Sequence, residues 1–517
     1  MSISALKNDV PASLVVFLVA LPLCMGIALG SGAPVISGII AGIIGGIVVG
    51  ALSGSHLSVS GPAAGLIATV SAGIVNLGSF EAFLVAVIIA GVFQLIFGLL
   101  KAGVIGHFIP NSVIKGLLVA IGLMLIFKQI PHLVGYDADF EGDESFLQAD
   151  GENTFTELIS AFKHITPVAL ILGFTGLCIQ FLWEPLSKKY SALSKWLPAP
   201  LVVVALGAGF NILCIYQFPT WQLKSEHLVN LPKMDQVIAG WKLPSLSALQ
   251  QVDVWILGLT IALIASIETL LSIEATDKLD PLHRITPTNR ELMAQGAGNI
   301  LSGFLGGLPL TAVIVRSSAN INAGGKTKSS AILHGVILLL FIVVFPKLLR
   351  FIPLSSLAAI LIFVGYKLAK PAIFSGQKQK GWNNFIPFLV TVIAILLSDL
   401  LIGVSIGLLV GIIFIARSNY RERIVAVNID HHHLIRFLAE VSFFNKSTIK
   451  EKLSMINEVN ATVVFDYTRC TFIDIDIKES VIEFCEAASI TGIKVEHRFQ
   501  NEQQKLNLFK NDHARIY

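Results

Sequence analysis

Ser58-Val59-Ser60-Gly61-Pro62-Ala63-Ala64-Gly65 and Gly306-Gly307-Leu308-Pro309-Leu310-Thr311-Ala312 interrupt two otherwise apolar regions of a 517-residue chain. Each reads as an extended Gly/Pro stretch that runs into a short helix. Pro62 and Pro309 stand 247 positions apart, and the same offset carries the first apolar segment roughly onto the eighth. This spacing predicts two repeats of seven membrane spans. Seven is odd, so the second repeat enters the bilayer upside down. Inverted repeats with paired broken helices place a substrate site near the membrane midplane. The plainer reading, that Gly and Pro only kink packed helices, suits one such stretch better than two at matched positions.

The surrounding sequence is that of a membrane protein. Only 14% of residues are charged, against about 25% in soluble domains, while 54% are hydrophobic and the mean hydropathy is +0.75. About 20 apolar residues cross roughly 30 Å of hydrocarbon. Fourteen segments meet or approach that length: 12–30, 35–53, 62–76, 82–100, 111–130, 166–184, 199–216, 254–276, 291–305, 310–323, 329–346, 354–370, 385–398 and 400–416. The first resembles a secretory signal, with Lys7 ahead of an apolar run. Pro22, Gly26 and the spans that follow favour a first transmembrane helix that is kept.

Lys and Arg between the spans set the orientation. With the N-terminus in the cytoplasm, the inner loops hold Lys101; Lys188, Lys189 and Lys195; Lys278, Arg284 and Arg290; Lys326 and Lys328; Lys367, Lys370, Lys378 and Lys380. Arg417, Arg421 and Arg423 follow the last span. The acidic loop Asp137–Glu152 carries no Lys or Arg and falls outside; Lys347 and Arg350, in one short outer loop, run against the pattern. An inner-membrane, multi-pass chain with both termini cytoplasmic is expected. A net charge of +3 gives no case for nucleic acid. The five cysteines follow no metal or disulfide spacing and are read as free thiols.

A helix that starts inside the membrane leaves up to four backbone N–H groups without helical partners, and its dipole puts roughly half a positive charge there. Two such starts facing each other form an anion cradle from backbone alone. Charges within apolar spans cost about 2.5–3.5 kcal/mol on insertion scales, and two stand out. Arg316 lies just past the first turn of the second broken helix. Glu268 shares a helix face with Ser272, four residues on; a carboxylate and a hydroxyl there suit Na⁺ or a proton. A structural Glu268–Arg316 ion pair is the competing reading.

Past Arg423 the composition changes. His433–Val441, Thr462–Phe465 and Gly492–His497 read as strands, and Ser447–Val459 and Lys478–Ser489 as helices, giving an α/β domain over 424–517 behind a membrane domain over 1–423. The run His431-His432-His433 reads as a solvated linker.

These motifs resemble the sulfate permease (SulP) family of inorganic anion transporters over nearly the whole chain. The resemblance rests on Leu21-Pro22-Leu23, Ser60-Gly61-Pro62-Ala63-Ala64, Ser266-Ile267-Glu268, Gln295-Gly296-Ala297-Gly298-Asn299, and Gly306-Gly307-Leu308-Pro309 through Arg316. The tail is similar to the family's cytosolic STAS domain at Val463-Val464-Phe465-Asp466-Tyr467-Thr468 and Phe472-Ile473-Asp474, although Lys478 falls where related domains often carry Gly. The resemblance implies an all-α polytopic domain of fourteen spans in two inverted seven-span repeats, divided into core and gate, followed by a small α/β domain. It implies substrate contact by Leu23, Ile27, Ala63, Ala64, Val313, Ile314, Val315 and Arg316, and a coupling-ion site, with Na⁺ as one candidate, at Glu268, Ser272 and Ala312. It also implies a homodimer and no cofactor beyond that ion. Ile314 and Val315 depart from relatives that carry a hydroxyl just before the arginine, which leaves substrate contact there to backbone N–H groups.

The expected function is symport of sulfate or bicarbonate with Na⁺ or H⁺; chloride is a further candidate anion. A dicarboxylate or nucleobase transporter of the same fold, or a membrane receptor signalling through the tail, are the alternatives. Nucleobase sites need polar side chains to read the ring, and Ala63, Ala64, Ile314 and Val315 offer few. No nucleophile–base set, metal spacing or phosphate loop supports an enzyme or an ATP-driven pump.

Overall fold

The computed structural model describes residues 3–140, 146, 152–189, 197–229, 240–344, 346–419, 423–429, 431–456 and 461–509. Lys195, Arg421, residues 457–459 of the expected helix, and 141–145 and 147–151 of the acidic loop lie outside the described residues. The chain divides into two compact units, Met1–Val410 and Gly411–Tyr517.

Helices occupy all fourteen expected segments. The first seven are α1 (Ile3–Gly30), α2 (Val35–Ile44, continued through a π-turn at Gly45–Val49 to Leu52), α3 (Ile67–Leu77), α4 (Phe80–Leu99), α5 (Asn111–Val134), α6 (Pro167–Lys189) and α7 (Ala199–Gln217). The second seven are α8 (Val252–Leu279), α9 (Thr288–Phe304), α10 (Ile314–Asn322), α11 (Ser329–Val344), α12 (Leu354–Leu368), α13 (Trp382–Leu397) and α14 (Leu400–Asn419). Among the described residues, eight helices are long and apolar enough to cross a bilayer, and four shorter ones are apolar. Pro34, Pro110, Pro198, Pro287 and Pro353 stand directly before a helix, where a missing N–H costs nothing. Gly78 closes α3 in the left-handed conformation, φ 72°. The next residue, Ser79, caps α4 by accepting from Ala82 N–H. Three further helices, Thr154–Lys163, Pro346–Leu349 and Pro371–Gln379, add to the expected fourteen; all are too short to span.

The inverted repeat is explicit at its centre. Ser60–Pro62 (β1) and Leu310–Ala312 (β2) form an antiparallel pair in the register Ser60↔Ala312, Gly61↔Thr311, Pro62↔Leu310. The repeat offset is 249–250 rather than the 247 suggested by the prolines: α1 and α8 begin at residues 3 and 252, α4 and α11 at 80 and 329, and α3 and α10 emerge from Ala63 and Val313. Where the two strands cross sets the helix starts, and Pro309 lies three residues upstream of the position that matches Pro62. In the core, α4 packs on α8 and α9, and α1 on α2 and α11; in the gate, α5 packs on α12 and α13, and α6 on α12. Gly122 of α5 and Gly365 of α12 bring two backbones together, since a Cβ on either would meet the other's carbonyl oxygen. Such small-residue contacts replace the hydrophobic driving force that lipid removes.

In the C-terminal unit, β3 (Ile424–Ile429), β4 (His432–Val441), β5 (Thr462–Ile473) and β6 (Lys494–Arg498) form one sheet in chain order; β3–β4 is antiparallel and the other two pairs are parallel. Helices α15 (Lys446–Ser454), α16 (Ile475–Thr491) and α17 (Glu502–Leu508) accompany it. The linker reading of the histidine run is corrected here. His432 and His433 open β4, and strand alternation turns His433 inward to 4% exposure. Lys478 rests its ammonium 5.5 Å from the Phe509 ring centroid, so its charge is used against the α17 end of the unit.

His497 of β6 stacks on Phe465, Tyr467 and Phe499. Burial, with Lys505 adding repulsion, lowers its pKa to about 4. An unfolded histidine takes its proton near pH 6.5. The unit therefore holds this stability fully above about pH 6.5 and loses it as pH falls toward about 4, by about 2 kcal/mol after allowance for partial exposure. His497→Phe keeps the stack and removes the proton site, so calorimetry between pH 7 and 4.5 should show a flatter decline. An unchanged decline would place the pH sensitivity elsewhere.

Candidate anion-binding site

Ala63 and Val313 share one extended conformation, φ −114°, ψ 135° and φ −113°, ψ 116°. Each hands a strand over to a helix start. The pairing continues beyond β1 and β2, where Val313 N–H donates to Val59 O (2.9 Å) and Val59 N–H to Ser317 Oγ (3.0 Å). Asn320 Nδ2 then donates to Leu57 O at 3.0 Å. The two helix starts are thereby locked to each other inside the apolar layer, where irregular backbone is tolerable only if it is buried or lines a cavity.

Of the residues expected to contact substrate, Ala63, Ile314 and Val315 are buried, whereas Ala64 and Val313 are half-buried. On α1, Leu23 packs in the same apolar cluster as Ile314 and Val315, and Ile27 in the cluster that holds Ala63. The first span thus walls both helix starts. Arg316 is fully buried. Its guanidinium lies behind β1, where Nη2 donates to Cys24 Sγ at 3.3 Å and Nη1 lies where a Cβ on Gly61 would go. It therefore supplies fixed positive charge from behind the strand and not by reaching past the helix starts.

Glu268 and Ser272 are buried on α8, at 7% and 6% exposure. The Glu268 carboxylate lies against Gly65, within 3.2–3.4 Å of where a Cβ would sit. A carboxylate at a helix N-terminus is favoured by the dipole, and Gly65 leaves room for it, since a Cβ there would push it back by a few tenths of an ångström. Ala312 N–H donates to Thr269 Oγ1 (3.3 Å), which ties β2 to the turn that carries Glu268. These side-chain and hydroxyl oxygens have the chemistry a Na⁺ ion takes.

In the sequence, Gln295 and Asn299 of α9 stand out only as parts of a motif; in the structure they belong to a polar ladder that the motif does not announce. Glu291, Gln295, Asn299 and Ser302 are fully buried. Glu291 accepts from Ser53 Oγ and from Gln295 Nε2, and Gln295 Nε2 also donates to Ser60 Oγ at 2.7 Å. Asn299 clamps Leu310 on both sides, accepting its N–H (2.7 Å) and donating to its carbonyl (3.0 Å). Ser302 Oγ donates to Leu308 O. Polar residues at i, i+4 and i+8 in an apolar span were the available signal. Asn299→Ala leaves two buried backbone groups of β2 unpaired, at about 1–3 kcal/mol each. A fall in the detergent-solubilised melting temperature is expected; an unchanged value would show that Leu310 finds other partners.

Residues 6–394 match the model of the sulfate permease family. The bicarbonate transporter BicA of Picosynechococcus is 26% identical over 420 residues, covering 78% of this chain and 69% of that one. YvdB of Bacillus subtilis, which carries a provisional sulfate-transporter description, is 27% identical over 412 residues, covering 80% of this chain and 74% of that one. The structure of the murine solute carrier 26 member A9 anion transporter, inward-facing, matches the fold with a TM-score of 0.69 at 14% identity, over 100% of this chain and 90% of that one.

Proposed function

The chain belongs to the sulfate permease family, and on that premise we propose that it is a secondary active symporter of a small inorganic anion, sulfate or bicarbonate, driven by Na⁺ or H⁺. The observation that carries this reading is the meeting of the Ala63 and Val313 helix starts with the Glu268 carboxylate at Gly65. The helix starts and Arg316 attract an anion. The carboxylate opposes it, since like charges about 4 Å apart repel by about 4 kcal/mol at an effective dielectric of about 20. Neutralising Glu268 with H⁺ or Na⁺ removes that opposition, so each ligand favours binding of the other. Ser272 and Ala312 complete the coupling site in this reading. Leu23, Ile27, Ala63, Ala64, Val313, Ile314 and Val315 line the anion site, with backbone N–H groups as its donors.

The same reading puts the chain in the inner membrane with both termini in the cytoplasm, which the Lys and Arg distribution supports, and makes the C-terminal α/β unit a STAS domain with a dimerising or regulatory role. The test is flux of labelled sulfate and bicarbonate into proteoliposomes, with chloride as competitor, with and without Na⁺ and a pH gradient. Saturable, gradient-driven uptake of one anion is expected. Absence of flux for every anion under every gradient would overturn the reading.

A further inference from the structure

Helices α6, α7, α10 and α12, with Val15 of α1, line a partly open cavity of about 210 Å³, well above the 10–15 Å³ or so that one water needs. It lies on the side assigned above to the cytoplasm. On α6, Gln180, Trp183 and Glu184 share one face at i, i+3 and i+4. Gln180 is 1% exposed and its Nε2 has no hydrogen-bond partner; neither does the buried Trp183 Nε1. Lys367 of α12 brings its ammonium to the same cavity, 3.5 Å from Glu184 Oε2. The facing wall is Ala319, Asn322 and Ala323 of α10.

The two unmatched atoms are both N–H donors, and neither an indole N–H nor an ammonium can accept. A buried donor left unpaired is costly, so the cavity calls for a ligand made of acceptors. The lysine beside it makes that ligand an anion. The cavity also shares two helices with the cradle, displaced along each toward the cytoplasmic side. Val15 is eight residues before Leu23 on α1, and Asn322 eight residues after Ile314 on α10, about 12 Å along each helix. The donors belong to the gate helices and the small-residue wall to a core helix.

We propose that Gln180, Trp183 and Lys367 form a second anion site, a cytoplasmic station that holds the transported inorganic anion between core and gate after it leaves the cradle. This rests on the transporter reading above. An anion there would exchange Glu184 for itself as the partner of Lys367, and Glu184, on the more exposed side, can turn to solvent.

The test compares half-saturation at the two membrane faces in sided proteoliposomes, with labelled sulfate or bicarbonate, whichever the unmodified chain transports. Trp183→Phe keeps the ring packing and removes the N–H; Gln180→Glu keeps the shape and puts an acceptor where a donor stood. Each should raise half-saturation at the cytoplasmic face roughly tenfold, the scale of one lost hydrogen bond to a charged group, and leave the external face within about twofold. Unchanged values at both faces in a variant that still transports would make the cavity a water-filled space and overturn this proposal alone. Equal rises at both faces would place the effect in the cradle and also overturn it. No saturable flux in the unmodified chain would remove the transport reading, and this site with it.

Discussion

Replacing Glu268 with Gln is expected to abolish gradient-driven anion accumulation while leaving anion exchange in place. Gln keeps the shape of the side chain at Gly65 but binds neither a proton nor Na⁺ with a full charge. The anion then meets a permanently neutral neighbour beside the α3 helix start. The interaction that couples the two ligands, about 4 kcal/mol at 4 Å and an effective dielectric of about 20, disappears. Because every 1.4 kcal/mol is tenfold, stimulation of uptake by the driving ion should fall by two orders of magnitude or more, to about the level without a gradient. Anion self-exchange should persist or strengthen, since the opposing charge is gone. Coupled accumulation that survives in Glu268→Gln would take this carboxylate out of the mechanism.

Gly61→Ala should be strongly destabilising through one added methyl. A Cβ on Gly61 overlaps Nη1 of Arg316, and the guanidinium has nowhere to retreat, being fully buried with Gly42 and Cys24 beside it. Overpacking a filled core costs about 1–3 kcal/mol, and the overlap also pushes the guanidinium away from Cys24 Sγ, the acceptor of its Nη2. Loss of folded protein from the membrane is the expected outcome, read as the monodisperse peak in fluorescence-detected size exclusion. Arg316→Lys removes the overlapping nitrogen. If the clash is the cause, Gly61→Ala in that background should cost far less than in the unmodified chain, a coupling that a double-mutant cycle measures. Additive losses would show that Gly61 matters for the β1 backbone and not for Arg316.

Much of this architecture is legible in the sequence because hydropathy and periodicity act within a segment. Fourteen apolar runs mark fourteen helices, and seven per repeat dictates the inversion. The Gly/Pro stretches around Pro62 and Pro309 mark the two helix starts, and the isolated charges of Glu268 and Arg316 mark the residues that shape the field around them. The tail announces strands and helices through the same local signals. His433 was misread because three histidines look solvated in composition, whereas strand pairing decides which face each one takes.

Other features exist only in the folded chain. The true repeat offset follows from Gly61 crossing Thr311, a pairing of residues 250 apart. The approach of Glu268 to Gly65 joins α8 to the first turn before α3, and the clamp of Asn299 on Leu310 joins α9 to β2. Arg316 reads from sequence as a charge near the cradle, yet packing against Gly61 and Cys24 puts it behind the strand. The sequence by itself determined the spans, the paired breaks and the sign of the ligand, because helix length and dipole are local properties of the backbone. Only the tertiary structure decided where the breaks meet, which carboxylate faces them and what holds them there, because contacts across some 250 residues depend on close packing that no local pattern encodes.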